Sequence, residues 1–295
     1  IPEKENWIAA DHAYADRKEE EEGIHVNDYA IESFEMHEIF KDIGFDIDLF
    51  NFAACHMGQV EVINDLPENI KYAMASPSFG YTADIEVHRE LISHINNGNH
   101  NSKELGKIYV DEYVENLNSS EQDLPSVKAL YNMNGFRAFV NSFTSLSEEL
   151  YKLFDDNPDK IVNFQEDVLK SNKKIQSYFD AADGGEFPER VYEKDLLGML
   201  SYLRENEDKY NETISSKADN LYEELDDIIV YSRYSDGVET SISTDNIEEE
   251  DKEYLTYKNS NGLSIWVEKN YGYSDTWFNQ ETNWNEVIEQ VHIED

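Results

Sequence analysis

A short apolar segment that leads into the only cysteine of the chain constrains the fold most. Residues 49–54 (Leu-Phe-Asn-Phe-Ala-Ala) have the length and composition of a strand that is buried on both faces. Residues 58–63 (Gly-Gln-Val-Glu-Val-Ile) then begin a helix-like pattern of apolar positions. The sequence therefore predicts a strand, a turn and a helix in that order, with Cys55 at the turn.

The predicted location of Cys55 is where open α/β sheets hold their reactive groups, beyond the carboxyl ends of the strands. A helix that begins next to the turn directs the positive end of its dipole at the thiol, and this favours the thiolate. Because the thiolate is the nucleophilic form, Cys55 is a candidate catalytic residue. The alternative is that Cys55 is a small apolar side chain buried at a strand end.

A strand predicted near the start of the chain ends at a candidate partner for the thiol. Residues 7–10 (Trp-Ile-Ala-Ala) predict an interior strand, which ends at His12, and residues 30–43 predict an amphipathic helix. A strand, a helix and a strand in that order form a right-handed crossover, which makes the strands before His12 and Cys55 parallel and brings their ends to one edge. The apolar side of the predicted helix contains Ile31, Phe34, Ile39 and Phe40.

An imidazole at the end of that first strand can accept the thiol proton, and His12 is the one that lies there. His56 is next to the cysteine, but its side chain would leave the opposite face if the strand continued. The histidines at positions 25, 37, 88, 94 and 100 fall on predicted loops or helix faces, where solvated imidazoles are usual.

The sequence contains no pattern typical of a metal site. One cysteine and scattered histidines match no tetrahedral zinc spacing, and the acidic runs contain no EF-hand motif. We therefore expect no metal ligands and no cofactor, with calcium bound by the acidic runs as the alternative.

The rest of the chain alternates between strand and helix before a long helical part. Residues 72–77 predict a buried strand that a proline ends, residues 78–84 a loop over the same sheet edge, and residues 87–95 a helix. Helices dominate the prediction from residue 103 to about residue 235. Strands are predicted again at residues 227–232 and 262–267.

We infer three segments from this order of elements. Residues 1–100 form part of an α/β core that carries the histidine and cysteine strands, residues 101–226 form a mainly helical subdomain, and residues 227–295 add strands that complete or extend the core. Because a parallel sheet seldom starts with its most functional strand so close to a terminus, we expect upstream strands of the core to precede this chain.

The charge balance restricts the partners of the protein. Its 64 acidic and 24 basic side chains leave a formal net charge of -40 at pH 7. A field of this sign repels nucleic acids and anionic membranes and favours cationic peptides or cations. The sequence has no apolar run of membrane-spanning length, and its 39% hydrophobic content suffices for a packed core. We expect a globular protein with no nucleic-acid partner and no membrane insertion.

Residues 52–58 (Phe-Ala-Ala-Cys-His-Met-Gly), followed by Val-Glu-Val at residues 60–62, resemble the cysteine motif of the clostripain-like peptidases. In that family the motif usually reads Phe-Asp-Ala-Cys-Leu-Met-Gly, with Val-Glu or Ala-Glu downstream. His12 falls where the family has a His-Gly-Gly strand end. Further similar landmarks follow in the family's order at residues 73–76, 195–197, 229–232 and 261–265.

The resemblance implies the caspase-like fold that the family shares with gingipains and legumains. This is an α/β core with a mostly parallel sheet flanked by helices, here with a helical insertion and a C-terminal portion. It also implies cysteine endopeptidase activity on polypeptides. Cys55 would attack the peptide carbonyl with His12 as its partner, and the backbone N–H groups of Cys55 and Ala13 would hold the oxyanion. We further expect a secreted or cell-envelope protein, with an N-terminal segment of the same precursor as a partner.

Two departures from the family pattern bear on activity. Where the family has an aspartate that helps bind a basic substrate side chain, this chain has Ala53, so that preference is open unless Asp84 or another acid supplies the carboxylate. Where the family has glycines after the histidine, this chain has Ala13 and Tyr14. These departures favour the alternative of a catalytically inactive homologue that acts as a surface or binding protein. A third interpretation is a cysteine-dependent transpeptidase or amidase on the same fold.

Overall fold

The structure of the protein is a computed structural model, which describes residues 7–9, 31–81, 83–98, 101–120, 124–169, 175–178, 193–237, 257–267 and 276–292. Strands in this part of the chain are β1 (Trp7–Ala9), β2 (Ile31–Glu32), β3 (Phe50–Asn51), β4 (Tyr72–Ala75), β5 (Val127–Asn132), β6 (Ser177–Tyr178), β7 (Glu193–Asp195), β8 (Ile229–Tyr234) and β9 (Ser264–Trp266). Helices are α1 (Ser33–Lys41), α2 (Val60–Asn64), α3 (Ile85–Asn97), α4 (Ser102–Asn118), α5 (Phe136–Asp156), α6 (Asp159–Phe164), α7 (Leu196–Glu205), α8 (Glu207–Tyr210), α9 (Glu212–Ile228), α10 (Trp277–Thr282) and α11 (Trp284–Val291).

A mixed sheet in the order β3-β4-β5-β8 forms the centre of the described structure. β3 and β4 are parallel, with Phe50 opposite Ala73 and Asn51 opposite Met74. β5 runs antiparallel to both β4 and β8. The parallel pair brings the carboxyl ends of β3 and β4 to one edge of the sheet, which is the edge where Cys55 follows β3.

Helices cover both faces of this sheet, which confirms the predicted α/β class. The alternation of side chains along β4 places Ala73 and Ala75 in a large core built with α5, α7, α9 and α11. Met74, between them, packs in a second core with residues of α3 and α4. The spacing of Phe139, Phe143, Leu146 and Leu150 on α5 is the helical period that buries one face.

A second, antiparallel sheet in the order β6-β7-β9 lies against the cysteine turn. A bridge pairs Gln59, at the start of α2, with Ser264 on β9. The N–H of Ser264 also donates to the carbonyl of Gly58 at 2.9 Å. The turn that carries the nucleophile candidate is therefore in contact with two sheets.

The pairing of the first strand differs from the prediction. β1 forms where residues 7–10 predict a strand, but it pairs antiparallel with β2, and among the described residues it does not join the sheet that contains β3. The expected parallel arrangement of the strands before His12 and Cys55 is therefore wrong for the described part of β1. A partner that is nearer in sequence closes a shorter loop, and this favours the antiparallel pair.

The first helix begins later than predicted, because Ile31 and Glu32 are in a strand. This shift changes the buried face of α1: Ile39, predicted to be inside, is 52% exposed, and Met36 is buried at 6% instead. Phe40 packs against the large core, as predicted. β3 is also shorter than the predicted strand at residues 49–54, and its two residues are half-buried because β3 lies at the edge of the described sheet.

The largest omission of the sequence prediction is β5. Residues 127–132 (Val-Lys-Ala-Leu-Tyr-Asn) lie in the stretch where helices were expected, yet they form a strand in the middle of the sheet. Short apolar runs do not distinguish strand from helix, and a lysine in the run resembles an exposed position. The division into residues 1–100, 101–226 and 227–295 stays a prediction, and the sheet draws strands from all three segments.

Other elements were predicted within a few residues of their observed bounds. The predicted strands at residues 72–77 and 262–267 correspond to β4 and β9, and the predicted helix at residues 87–95 lies within α3. The predicted strand at residues 227–232 begins later, at Ile229, because α9 continues to Ile228. In the part of the chain that is described, no helix is both long and apolar enough to cross a membrane.

Candidate active site

Cys55 lies in the turn between β3 and α2, as the sequence predicts. The backbone of Phe52 continues the strand pairing, because its N–H donates to the carbonyl of Met74 at 2.9 Å. Residues 55–58 then form the turn, and α2 begins at Val60. The thiol of Cys55 is exposed, so the alternative of a buried structural cysteine is wrong.

Two backbone hydrogen bonds attach the cysteine turn to the loop after β4. The N–H of His56 donates to the carbonyl of Ser78, and the N–H of Gly58 donates to the carbonyl of Ser76, both at 2.9 Å. These bonds extend the contact between the two segments beyond the ends of β3 and β4. The turn is therefore held by backbone as well as by side chains.

Gly80 packs against the peptide that joins Ala54 to Cys55. A methyl group at residue 80 would lie 2.4 Å from the carbonyl oxygen of Ala54 and 3.1 Å from the nitrogen of Cys55. The loop can approach the turn only because residue 80 has no side chain. The Sγ atom of Cys55 lies 3.7 Å from the carbonyl oxygen of Gly80, which is within range of a weak S–H···O bond.

The backbone N–H of Cys55 has no hydrogen-bond partner in the described part of the chain. The N–H groups of Phe52, His56 and Gly58, by contrast, all donate to the neighbouring segment. An unpaired N–H beside a nucleophile is what an oxyanion hole requires. The turn therefore presents a thiol and a hydrogen-bond donor together.

The strand ends before His56, so its side chain does not leave on the face expected for a continued strand. Its φ of 58° is in the left-handed region, which is uncommon for a residue other than glycine. The Nδ1 atom of His56 lies 3.0 Å from Oε1 of Glu193 on β7. The other carboxylate oxygen, Oε2, accepts a hydrogen bond from the hydroxyl of Ser264 on β9 at 3.2 Å.

Glu61, on α2, is a fully buried acid that contacts the second sheet. Its Oε1 accepts a hydrogen bond from the N–H of Trp266 at 3.0 Å. Burial raises the pKa of Glu61 to about 8, although hydrogen bonds from backbone N–H groups oppose the rise, and the carboxylates of Glu193 and Asp65 add to it. Glu61 is therefore largely protonated at neutral pH.

A buried lysine contacts the strand end before Cys55, and a buried tyrosine contacts the loop after β4. Lys128 on β5 donates from Nζ to the carbonyl oxygen of Phe52 at 2.7 Å, and burial lowers the pKa of Lys128 to about 7. The hydroxyl of Tyr113 accepts a hydrogen bond from the N–H of Tyr81 at 2.9 Å. Burial raises the pKa of Tyr113, and the negative charge of an ionised Cys55 adds to that rise.

The predicted site residues differ in what the structure says of them. His12 and Ala13 lie outside the described residues, so the dyad and one oxyanion donor stay predictions. Ala53 is exposed, two residues before Cys55. Asp84 is exposed at the start of α3, where its Oδ1 accepts a hydrogen bond from the N–H of Ile85. This bond gives Asp84 a capping role, and its role in substrate binding stays a prediction.

Sequence reasoning missed the buried polar residues around the turn, which are Glu61, Lys128, Glu193 and Ser264. The available signal was a charged residue inside an otherwise apolar run, as for Lys128 in β5 and Glu61 in α2. Nothing local marks Glu193, because its contacts come from distant parts of the chain. Within the described ranges, no group of three or more histidine, cysteine, aspartate or glutamate side chains could hold a metal ion.

An α/β sheet with an exposed thiol after a strand, next to an N–H that has no partner among the described residues, is typical of hydrolases with a cysteine nucleophile. The model of the clostripain family, also called peptidase family C11, matches residues 14–291 of this chain. The chain belongs to the clostripain family of cysteine peptidases, as its cysteine motif indicates. A comparison with proteins of curated function found no match.

Solved structures of three proteins share the fold at low sequence identity. A B. fragilis cysteine protease is 16% identical with a TM-score of 0.56, over 86% of this chain and 94% of that one. A secreted C11 cysteine protease from Bacteroides thetaiotaomicron, "iotapain", is 13% identical with a TM-score of 0.52, over 88% and 60%. An inactive zymogen of a C11 protease from Parabacteroides distasonis is 14% identical with a TM-score of 0.50, over 84% and 62%. These likenesses confirm the caspase-like fold class.

Proposed function

We propose that this chain is an active cysteine endopeptidase with Cys55 as the nucleophile and His12 as its acid-base partner. The observation that carries the proposal is the exposed Sγ atom of Cys55 at the end of a sheet strand, beside a backbone N–H that has no partner among the described residues. Family membership supports the same chemistry. The role of His12 is inferred from the family motif alone.

The reaction follows from these groups in two stages. The Cys55 thiolate attacks the peptide carbonyl carbon, and the N–H groups of Cys55 and Ala13 stabilise the resulting oxyanion. The C–N bond then breaks, and the imidazolium of His12 protonates the leaving amine. Water, deprotonated by His12, attacks the thioester, releases the acid product and returns the thiol to its starting state.

The substrate class is polypeptide, and the residue before the cleaved bond is the open part of the proposal. Ala53 removes the carboxylate that the family places beside the cysteine, whereas the net charge of -40 still attracts basic segments. Asp84 is the remaining candidate acid, and its carboxylate already caps α3. We propose that any preference for arginine or lysine comes from Asp84 or the general field and is therefore weak.

Secretion and processing from a precursor are further parts of the proposal. One protein of similar fold is described as secreted and another as an inactive zymogen, and both have longer chains than this one covers. We propose a secreted or cell-envelope enzyme that acts on polypeptides outside the cytoplasm. An N-terminal segment of the same precursor is the expected partner.

Cleavage of a peptide library by four proteins tests the proposed function. We expect the wild type to cut peptides, Cys55→Ala to cut none, and His12→Ala to lose at least about 100-fold in kcat/KM, the range of a positioned acid-base group. His88→Ala is the matched control, since His88 is an exposed histidine on α3. Equal cleavage by Cys55→Ala and the wild type would overturn the proposal.

The second candidate is an inactive homologue that acts as a surface or binding protein. The replacement of family glycines by Ala13 and Tyr14, and of the family aspartate by Ala53, favours it. Labelling with a peptidyl acyloxymethyl ketone separates the two, because only an activated thiol reacts faster than free cysteine. Product analysis with an added amine separates hydrolysis from transpeptidation.

A further inference from the structure

We propose that Glu193 is a positioning residue for the nucleophile: from the second sheet it holds the imidazole of His56, and through His56 it fixes the turn that displays Cys55. The proposal rests on the proposed function, because it assigns a role around the same thiol. Glu193 lies 138 residues after Cys55 in the sequence, and neither the cysteine motif nor the predicted dyad includes it.

The backbone of His56 needs such support. Its φ of 58° is in the left-handed region, where the side chain of an L-residue is crowded and the conformation persists only if the surroundings hold it. The N–H of His56 is bound to the carbonyl of Ser78 on one side of the turn. On the other side the imidazole reaches Glu193, with 3.0 Å between Nδ1 and Oε1. The residue after the nucleophile is therefore held from both sides.

The carboxylate of Glu193 is itself held in place. It is 5% exposed, and its second oxygen accepts a hydrogen bond from the hydroxyl of Ser264 at 3.2 Å. The N–H of Ser264 donates to the carbonyl of Gly58, at the far end of the same turn. The turn is thus attached to β7 through the side chain of His56 and to β9 through the backbone of Gly58.

Burial explains why this contact controls geometry rather than only adding stability. Water does not compete strongly for a carboxylate at 5% exposure, so the Glu193 oxygen selects one position of the imidazole. When the imidazole of His56 has a single position, the backbone of the turn is fixed with it. The Cys55 Sγ atom and the Cys55 N–H then each point in one direction. Nucleophilic attack depends on both directions, because a misplacement of about 1 Å costs about 100-fold in rate.

The first test compares Glu193→Ala with Glu193→Gln. We expect Glu193→Ala to lower kcat by about 10-fold to 100-fold with KM nearly unchanged, because the thiol is misplaced but the cleft is not. Glu193→Gln keeps the length of the side chain and an oxygen at the position 3.0 Å from Nδ1 of His56, so kcat should recover to within about 3-fold of the wild type. Asp195→Asn is the matched control: Asp195 is a buried acid on the same strand, bound to Tyr178 and Asn261 and not to the turn.

The second test asks whether Glu193 acts through His56. We expect Glu193→Ala combined with His56→Asn to be no slower than His56→Asn alone, because the two changes break one contact. Asparagine is chosen since it tolerates the left-handed region. Additive losses in kcat would overturn the proposal. If Glu193→Ala does not fold, Glu193→Asp, which is one methylene shorter and withdraws the carboxylate from the imidazole, takes its place in both tests.

The rate of Cys55 alkylation by iodoacetamide distinguishes failure of this proposal from failure of the proposed function. This rate is measurable whether or not the protein cleaves peptides. A lower rate in Glu193→Ala with recovery in Glu193→Gln supports the positioning role, even in a protein that cuts nothing. Rates equal to the wild type in both variants would overturn it, while cleavage that depends on Cys55 would leave the proposed function standing.

Discussion

The Nζ atom of Lys128 donates a hydrogen bond of 2.7 Å to the carbonyl oxygen of Phe52, the last residue of the strand pairing before the cysteine turn. Lys128 is buried, and its Nζ lies 6.0 Å and 5.3 Å from the ring centroids of Tyr109 and Tyr113. Burial lowers the pKa of Lys128 to about 7. A group that is ordinarily charged is therefore close to half neutral at pH 7, directly behind the strand end.

Replacement of this lysine should change how stability depends on pH. In the wild type the folded pKa lies below the usual 10.5, so the unfolded chain binds more protons and the free energy of unfolding rises from pH 7 toward pH 10. Lys128→Met removes this dependence. We expect the stability of the variant relative to the wild type to be more favourable at pH 6 than at pH 9, by on the order of 3 kcal/mol.

Urea unfolding of both proteins at the two pH values measures this difference. Lys103→Met, at an exposed position on α4, is a control for loss of a lysine outside the core, and it should show no comparable change. If the difference in the free energy of unfolding between Lys128→Met and the wild type is the same at pH 6 and pH 9, the lowered pKa of Lys128 is contradicted.

Glu61 should produce the opposite dependence. Its folded pKa is raised from 4.5 to about 8, so the folded protein binds the extra proton and stability is lost as pH rises toward 8. Glu61→Gln keeps an oxygen that can accept from the N–H of Trp266 and cannot ionise. We expect the variant to gain on the order of 3 kcal/mol relative to the wild type between pH 6 and pH 9.

Denaturation with urea at pH 6, 7, 8 and 9 follows this gain. Glu68→Gln, at an exposed position after α2, serves as the comparison. If Glu61→Gln and Glu68→Gln have parallel pH profiles, the raised pKa of Glu61 is refuted.

Gly80 should be necessary for activity because of the space it leaves. In Gly80→Ala the added methyl group would lie 2.4 Å from the carbonyl oxygen of Ala54, so the loop or the cysteine turn must move. We expect kcat/KM to fall by at least about 10-fold while the protein remains folded. Gly44→Ala is the matched control: Gly44 has a φ of 78° and nothing within 4 Å of the added atom.

The two glycine variants distinguish the effect of backbone strain from the effect of displacing the cysteine turn. Gly44→Ala should lower the melting temperature without changing kcat/KM, whereas Gly80→Ala should change kcat/KM. Peptide cleavage and thermal unfolding of both variants supply the data. Full activity in Gly80→Ala would show that the turn tolerates displacement.

Ala53 should decide whether the site prefers a basic residue before the cleaved bond. Ala53 is exposed, so a longer side chain there can be accommodated without repacking the core. Ala53→Asp places a carboxylate where the family has one, and we expect at least about a 5-fold gain in kcat/KM for arginine or lysine substrates, since a close ion pair is worth about 1 kcal/mol or more. Ala53→Asn, which has the same shape without the charge, should show no such gain.

Asp84→Asn tests the other candidate acid in the same assay. Asparagine also caps helices, so α3 should persist while the charge is lost. A fall in cleavage after basic residues, with cleavage after other residues unchanged, would assign substrate binding to Asp84. No change would leave Asp84 with its capping role alone.

Local patterns in the sequence predicted the parts of the fold whose stability is local. The strand, turn and helix around Cys55, the strand β4 with its terminating proline, and β9 all have apolar periods that can be read within about ten residues. The exposed thiol also agrees with the interpretation of Cys55 as a nucleophile. For β5 the prediction was wrong, because a short apolar run fits both a strand and a helix. Pairing with the neighbouring strands β4 and β8 makes this run a strand.

The sequence by itself determined the family and the class of reaction, and it predicted the nucleophile, since a cysteine motif of seven residues and its order among other landmarks can be read along the chain. Tertiary structure alone decided what surrounds Cys55. Gly58 and Ser264 are 206 residues apart in sequence, and yet they share a hydrogen bond. Glu193 likewise contacts His56, although the two are far apart in sequence. Such contacts depend on how two sheets pack, and no local period encodes which distant residues that packing brings together.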